Sequence, residues 1–398
     1  MSRFALRRNP DEEYRASSLE LFFDLVFVFA VTQVSHLLIE HLSWKGALES
    51  GIALLVVWWA WQYTVWATNE FDAEQIPIRL LLIVIMMASL LMAIAIPEAF
   101  GDRGLLFASA YVFIQVFRHA FMTFVAADRG TVERRRAAHI LTWFCAGGVF
   151  WIAGGIAEGD ARILLWLVAL AIDYGGPLVT FRVPWMEPIE TGDWNVGGSH
   201  FAERFQLFTI IALGETIVLT GATTAGLELD GGTITAFGFA FVSTVCLWWL
   251  YFNYIATRFE RMLVDADDRT LAGRDMYTYG HVPIIAGIIL CAVGDELVIA
   301  HPSAVLEPSH LLAVVAGPVL YLLSFLPIRW RLTRGVPMKR LVGAAACVAI
   351  GLIAHAAEFS AVLVGGLLCA VLVAVVVTET ARPVHPDEPV RAGADAAE

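Results

Sequence analysis

Apolar and polar positions alternate along this chain on the scale of helices, not of strands. From about residue 18 to about residue 378, runs of roughly twenty mostly apolar residues are separated by short charged segments. A helix of that length rises about 30 Å, enough to cross the hydrocarbon of a bilayer. The pattern predicts about twelve spans: 18–39, 47–68, 77–97, 104–127, 138–157, 161–181, 199–222, 232–257, 279–300, 309–328, 337–357 and 359–378. Only Ala356, Ala357 and Glu358 join the last two, which predicts a tight hairpin. The fold class expected is all-α, a polytopic transmembrane helix bundle.

The charges between the spans orient it. With the N-terminus inside, one side collects Arg3, Arg7, Arg8, Arg15, Arg129, Arg134, Arg135, Arg136, Arg258, Arg261, Arg269 and Arg274. Arg329, Arg331, Arg334, Lys339 and Arg340 fall on that side too, while the other side has only Lys45, Arg103 and Arg162. An even number of spans obeying the positive-inside rule places both termini in the cytoplasm. No apolar core precedes Leu19, so the first helix is expected to act as its own insertion signal, not as a cleaved peptide.

The pattern also echoes itself. Glu20-Leu-Phe matches Glu203-Arg-Phe at an offset of about 183, and Trp58-Trp59 matches Trp248-Trp249 at about 190. Arg129 matches Arg329, and Ala157-Glu158 matches Ala357-Glu358, both at about 200. An offset that grows in one direction predicts two parallel six-helix repeats, 1–181 and 199–380, around a Pro- and Gly-rich connection at 182–198. The tail 381–398 lacks apolar residues to bury and is expected to be disordered.

Composition agrees. The 398 residues are 58% hydrophobic and 16% charged, against about a quarter charged in soluble proteins. The net charge of −12, with basic residues scattered beside the spans, argues against nucleic acid as a partner. The five cysteines lie in apolar segments without C-x-x-C spacing, so no metal, redox pair or cofactor is implied. The motifs H-E-x-x-H, Walker A and G-x-S-x-G are absent. Asp265-Ala-Asp267-Asp268 starts like a calcium loop but lacks its glycine and has Met276 in place of the closing glutamate. Nothing argues for an enzyme.

Ionisable residues inside spans are costly and call for partners or a function. Glu20 and Asp24, at i,i+4 on the first span, share one helix face. Arg118 stands deep in the fourth span and is the expected counter-ion of Asp24, Glu20 or Glu215; His119 follows it. Asp173 precedes Gly175-Gly176-Pro177, which reads either as a discontinuous helix at a binding site or as an early helix end. Glu203 and Glu215 lie roughly 18 Å apart along the seventh span, too far for one ion to touch both. Gly214 suggests a close helix approach beside Glu215. Ion- or substrate-binding candidates are therefore Glu20, Asp24, Arg118, Asp173, Glu203 and Glu215.

Glu20-Leu-Phe-Phe-Asp24-Leu-Val-Phe-Val-Phe-Ala30 resembles the opening signature of the bacterial low-temperature-requirement A (LtrA) membrane proteins. Glu203-Arg204-Phe205 with Leu213-Gly214-Glu215-Thr216 is similar to that family's second signature. The resemblance runs from about Arg15 to Thr380 and implies a bacterial inner-membrane protein, without a mechanism.

The leading expectation is an ion- or proton-coupled transporter, with membrane lipid and a proton, small cation or small-molecule substrate as partners; a homo-oligomer stays open. One alternative is a passive cation channel, since Phe22-Phe23-Asp24 faintly resembles the F-S-D motif of a two-repeat lysosomal potassium-channel family. Another is a non-transporting scaffold involved in low-temperature adaptation, with its charges in structural ion pairs. A membrane enzyme would instead need acids clustered around a lipid-like substrate.

Overall fold

The computed structural model describes residues 6, 15–190, 198–327 and 337–381. Arg3, Arg7, Arg8, Arg329, Arg331 and Arg334 lie outside the described residues, as do 191–197 of the connection and almost all of the tail 381–398.

The first helices are α1 (Ser18–Glu40), α2 (Trp44–Glu70), α3 (Ile76–Ala95), α4 (Gly104–Phe121), α5 (Val132–Ile156), α6 (Gly159–Gly175) and α7 (Gly198–Ala225). They are followed by α8 (Gly231–Tyr251), the short α9 (Thr257–Val264) and α10 (Arg269–Ala272), then α11 (His281–Ala300), α12 (Pro308–Leu323), α13 (Met338–Ala357) and α14 (Ala361–Thr380). No strand forms among the described residues; one isolated bridge joins Val305 to Ser360. The tight hairpin is present: Glu358 turns in the left-handed region (φ 52°) between α13 and α14.

Ten of the described helical stretches are long and apolar enough to cross a membrane, against about twelve expected. The two that differ are α2 and α12. Their reasons are separate. The 16 residues of α12 fall short of the expected 309–328. The 27-residue α2 has the length, but Trp58, Trp59, Trp61, Trp66 and Gln62 lower the mean hydropathy of its apolar stretch. Trp58, Trp59 and Trp61 are fully buried, and residues on all sides of α2 are covered, the state expected of a helix apolar all round.

The contacts form two compact units, 1–211 with 259–277, and 212–258 with 278–398. In the first, α1 packs on α2 and α3, and α3 to α6 pack in sequence. The Trp58 and Trp61 rings meet Phe205 and Phe208 of α7, with Trp61 and Phe208 centroids 4.1 Å apart. Tyr277 meets Phe201, Phe205 and Phe259, which draws 259–277 into the same unit. Arg162 staples one end: its guanidinium donates to the carbonyls of Gly154, Ala157, Ala99 and Gly101, carbonyls left over where helical segments end.

In the second unit α11 and α12 pack backbone to backbone, because a Cβ on Gly287 would lie 2.8 Å from the Tyr321 backbone. Arg340 of α13 binds Glu379 of α14 at 2.9 Å and stacks on Phe325 at 4.4 Å. Gly214 does not mark the close approach expected of it: a Cβ there would meet nothing within 4 Å.

Candidate functional site: a buried acid–base cluster

The first turn of α1 builds the site. Ser17 caps the helix, accepting from the Glu20 N–H at 3.3 Å, while the Glu20 carboxylate accepts from the Ser17 N–H at 2.9 Å. This reciprocal capping box fixes where the helix starts and which way Glu20 points. One turn on, Asp24 lies on the same face with Phe23, Phe27 and Val31, all buried, while Leu21, Phe22, Leu25 and Phe29 face outward. The helix is thus apolar toward lipid and acidic toward protein.

Arg204 of α7 meets both acids. Its Nη1 donates to Glu20 Oε1 at 2.9 Å and its Nη2 to Asp24 Oδ1 at 2.6 Å, with all three side chains buried. The indole N–H of Trp61 donates to the same Asp24 oxygen at 2.7 Å, and the Thr68 hydroxyl lies 3.4 Å from Nη1. His200, one helical turn before Arg204, places Nε2 3.2 Å from Glu20 and Nδ1 3.4 Å from Asn69 Oδ1. Asp24 Oδ2 and Arg204 Nε are buried without a hydrogen-bond partner among the described residues. Glu203, beside Arg204, accepts from the Ala16 N–H at 3.0 Å, tying the chain before α1 to α7.

The expected counter-ion of Glu20 and Asp24 is thereby corrected. Arg204, not Arg118, takes the acids. Arg118 donates instead to neutral groups: the Thr64 hydroxyl at 2.9 Å, the Ala60 carbonyl at 3.3 Å and the Gln115 side chain, with Tyr63 beneath it at 5.7 Å. His119 is spent locally, its Nδ1 2.9 Å from the Gln115 carbonyl.

A family model described as bacterial low temperature requirement A protein (LtrA) matches residues 15–377. The chain belongs to the LtrA family. An uncharacterized protein of Rhizobium meliloti (strain 1021) is 39% identical over 341 residues, 85% of this chain and 83% of its own. No solved structure matches. Family and apolar helices together make this LtrA chain a multi-pass membrane protein.

The remaining candidates of the LtrA chain have surroundings of their own. Asp173 is on the last turn of α6, which ends at Gly175 and runs into one 3-10 turn, Gly176–Val179; the discontinuous-helix expectation gives way to the early end. Its Oδ2 accepts from the Tyr111 hydroxyl at 2.7 Å and the Trp151 indole at 2.9 Å. Oδ1 lies where a Cβ on Gly147 would be 2.7 Å away, so a side chain there would displace the carboxylate. Glu215 is buried in the second unit, next to a Thr216–Thr244 hydroxyl pair at 2.8 Å. The sequence reading missed His200, which stands at the edge of a predicted span. It also missed the capping role of Glu20, although Ser17-x-x-Glu20 carries that signal.

Proposed function

We propose that this LtrA chain is a proton- or ion-coupled transporter whose coupling site is the Glu20–Asp24–Arg204–His200 cluster. One observation carries the reading: Asp24 Oδ2 and Arg204 Nε are buried and unsatisfied inside an acid–base cluster that joins α1 to α7. Buried polar atoms are nearly always paired; Arg118 Nε and Asp173 Oδ1 are unpaired too, but only here does a free carboxylate oxygen, Asp24 Oδ2, able to take a proton or small cation, sit in a cluster of opposite charges inside a span. No catalytic role is proposed.

The transporter architecture is two parallel six-helix repeats, with α1 and α7 as equivalent first helices. Neighbour relations support it: α3–α4, α4–α5, α5–α6 and α2–α6 contacts recur as α11–α12, α12–α13, α13–α14 and α8–α14. The alternation of arginine-rich and arginine-poor connections supports cytoplasmic termini and the bacterial inner membrane.

Flux into proteoliposomes under imposed proton, sodium and potassium gradients tests this. Protein-dependent, saturable flux that disappears in folded Asp24→Asn, while Glu215→Gln keeps it, is the expected result. Flux for none of these ions, with Asp24→Asn merely less stable, sinks the reading.

A second reading has support of its own. The capping box and the double ion pair of Arg204 are what a structural staple would use. In that scaffold the pair Arg204→Met with Asp24→Leu preserves low-temperature function; in a transporter it does not.

A further inference from the structure

Arg118 carries a charge that none of its contacts answers. A guanidinium stays protonated at any depth, and a buried charge without a counter-charge is among the costliest arrangements a protein can hold. The buried acids of this unit are held by other groups: Glu20 and Asp24 pair with Arg204, Glu70 with Arg136, and Asp173 accepts from Tyr111 and Trp151. We propose that Arg118 holds a single-atom anion, with chloride as the ligand.

The unpaired atoms give the ligand its sign. Nη1 of Arg118 donates to the Thr64 hydroxyl and the Ala60 carbonyl, and Nη2 to the Gln115 side-chain oxygen. Nε is buried with no acceptor, and so is the amide nitrogen of Gln115. Both orphans are donors, so what is missing is an acceptor. Water would accept from them but leave the charge unbalanced, and its own hydrogens would need acceptors in turn. A halide brings the opposite charge and no hydrogens.

The available room sets the size. Arg118, Thr64 and Thr68 line a narrow cleft between α2, α3 and α4, and Leu81, Leu82 and Ile85 give it an apolar wall. It has room for about one water-sized sphere, which suits a single-atom ion and not a carboxylate or a phosphate. The hydroxyls of Thr64 and Thr68 already donate to the carbonyls of Ala60 and Val65, so the guanidinium is what the cleft offers an anion. The apolar wall strengthens that attraction by keeping the surroundings weakly polar.

Thr68 also receives Arg204 Nη1 at 3.4 Å, one helical turn from Thr64. The anion site and the acid–base cluster are therefore neighbours along α2. Movement of the anion during transport rests on the coupled-transport reading, whereas its binding does not.

Binding of radiolabelled chloride to the full-length protein in nanodiscs tests this, with bromide, acetate and sulfate as competitors at constant ionic strength. The expected result is saturable binding that bromide displaces at least about tenfold better than acetate or sulfate, and that Arg118→Met reduces about tenfold or more. If Arg118→Met does not fold, Leu82→Phe keeps the guanidinium but narrows the cleft, and is expected to weaken chloride by a similar factor. Absence of saturable binding overturns the proposal, as does binding unchanged in the folded variant or displaced equally by acetate or sulfate. Chloride binding without proton-, sodium- or potassium-driven flux upholds this inference and overturns the coupled-transport reading.

Discussion

Two guanidiniums, Arg204 and Arg118, lie fully buried in the same compact unit, and their surroundings are opposite. Arg204 faces two carboxylates, one of which also meets the His200 imidazole, and a hydroxyl, while Arg118 faces a hydroxyl, a carbonyl, an amide and an aromatic ring. Depth in the membrane therefore does not decide what a buried arginine does. What decides is whether its partners lose a charge balance when it is removed.

The largest effect follows from that asymmetry. Arg204→Met leaves Glu20 and Asp24 in each other's company without their guanidinium, a loss on the order of 3–5 kcal/mol. Thermal unfolding in detergent checks it, and a double-mutant cycle with Asp24→Leu should return much of the loss. Independent, additive effects would show that the geometric pair is not an energetic one.

Arg118→Met comes next and should be much milder, about 1 kcal/mol, because its partners can serve one another. The Thr64 hydroxyl already donates to the Ala60 carbonyl at 3.0 Å. An Arg118→Met loss as large as that of Arg204→Met would dissolve the contrast between the two sites.

Asp173 extends the comparison to an acid held by neutral donors alone, Tyr111 and Trp151. Asp173→Asn keeps an acceptor for both and should cost at most about 1 kcal/mol, whereas Asp173→Leu orphans a buried hydroxyl and an indole N–H at about 1–3 kcal/mol. Equal losses in the two variants would mean that side-chain volume against Gly147, not hydrogen bonding, governs the site.

How much of this could be read from the sequence follows the range of each interaction. Span periodicity is local, so the helices and the α13–α14 hairpin were legible, as were Glu20 and Asp24 on one face. The partner of those acids was not, because it depends on which helix lies beside α1. Arg118 looked apt by depth, but Arg204, 180 residues beyond Asp24, was the one that reached it. Helix ends misled in the same way. Gly175-Gly176-Pro177 stops a helix whether or not the chain resumes, and only the observed 3-10 turn tells the cases apart. Tryptophan misled by scale: the ring lowers hydropathy yet can pack completely, so α2 reads as a weak span while Trp58, Trp59 and Trp61 are fully buried.

The smallest effect sets the zero of the comparison, a carboxylate bonded to protein but bathed in solvent. Asp230 caps α8, accepting from the Thr233 N–H at 2.7 Å, and that donor holds its carboxyl below the ordinary value of 3.8. Because the folded value is the depressed one, the capping contribution is fully present above 3.8 and is lost as pH falls through the lower, folded value. Asp230→Asn keeps the acceptor and removes the titration, so the protection of the Thr233 amide, its exchange relative to the intrinsic rate at each pH, should fall with acid in the parent and not in the variant. Asp230→Ala should raise that exchange at every pH, with a barely measurable change in melting temperature. If Asp230→Ala instead rivals Arg204→Met, the separation of buried pairs from exposed caps fails, and with it the claim that loss of charge balance sets the scale.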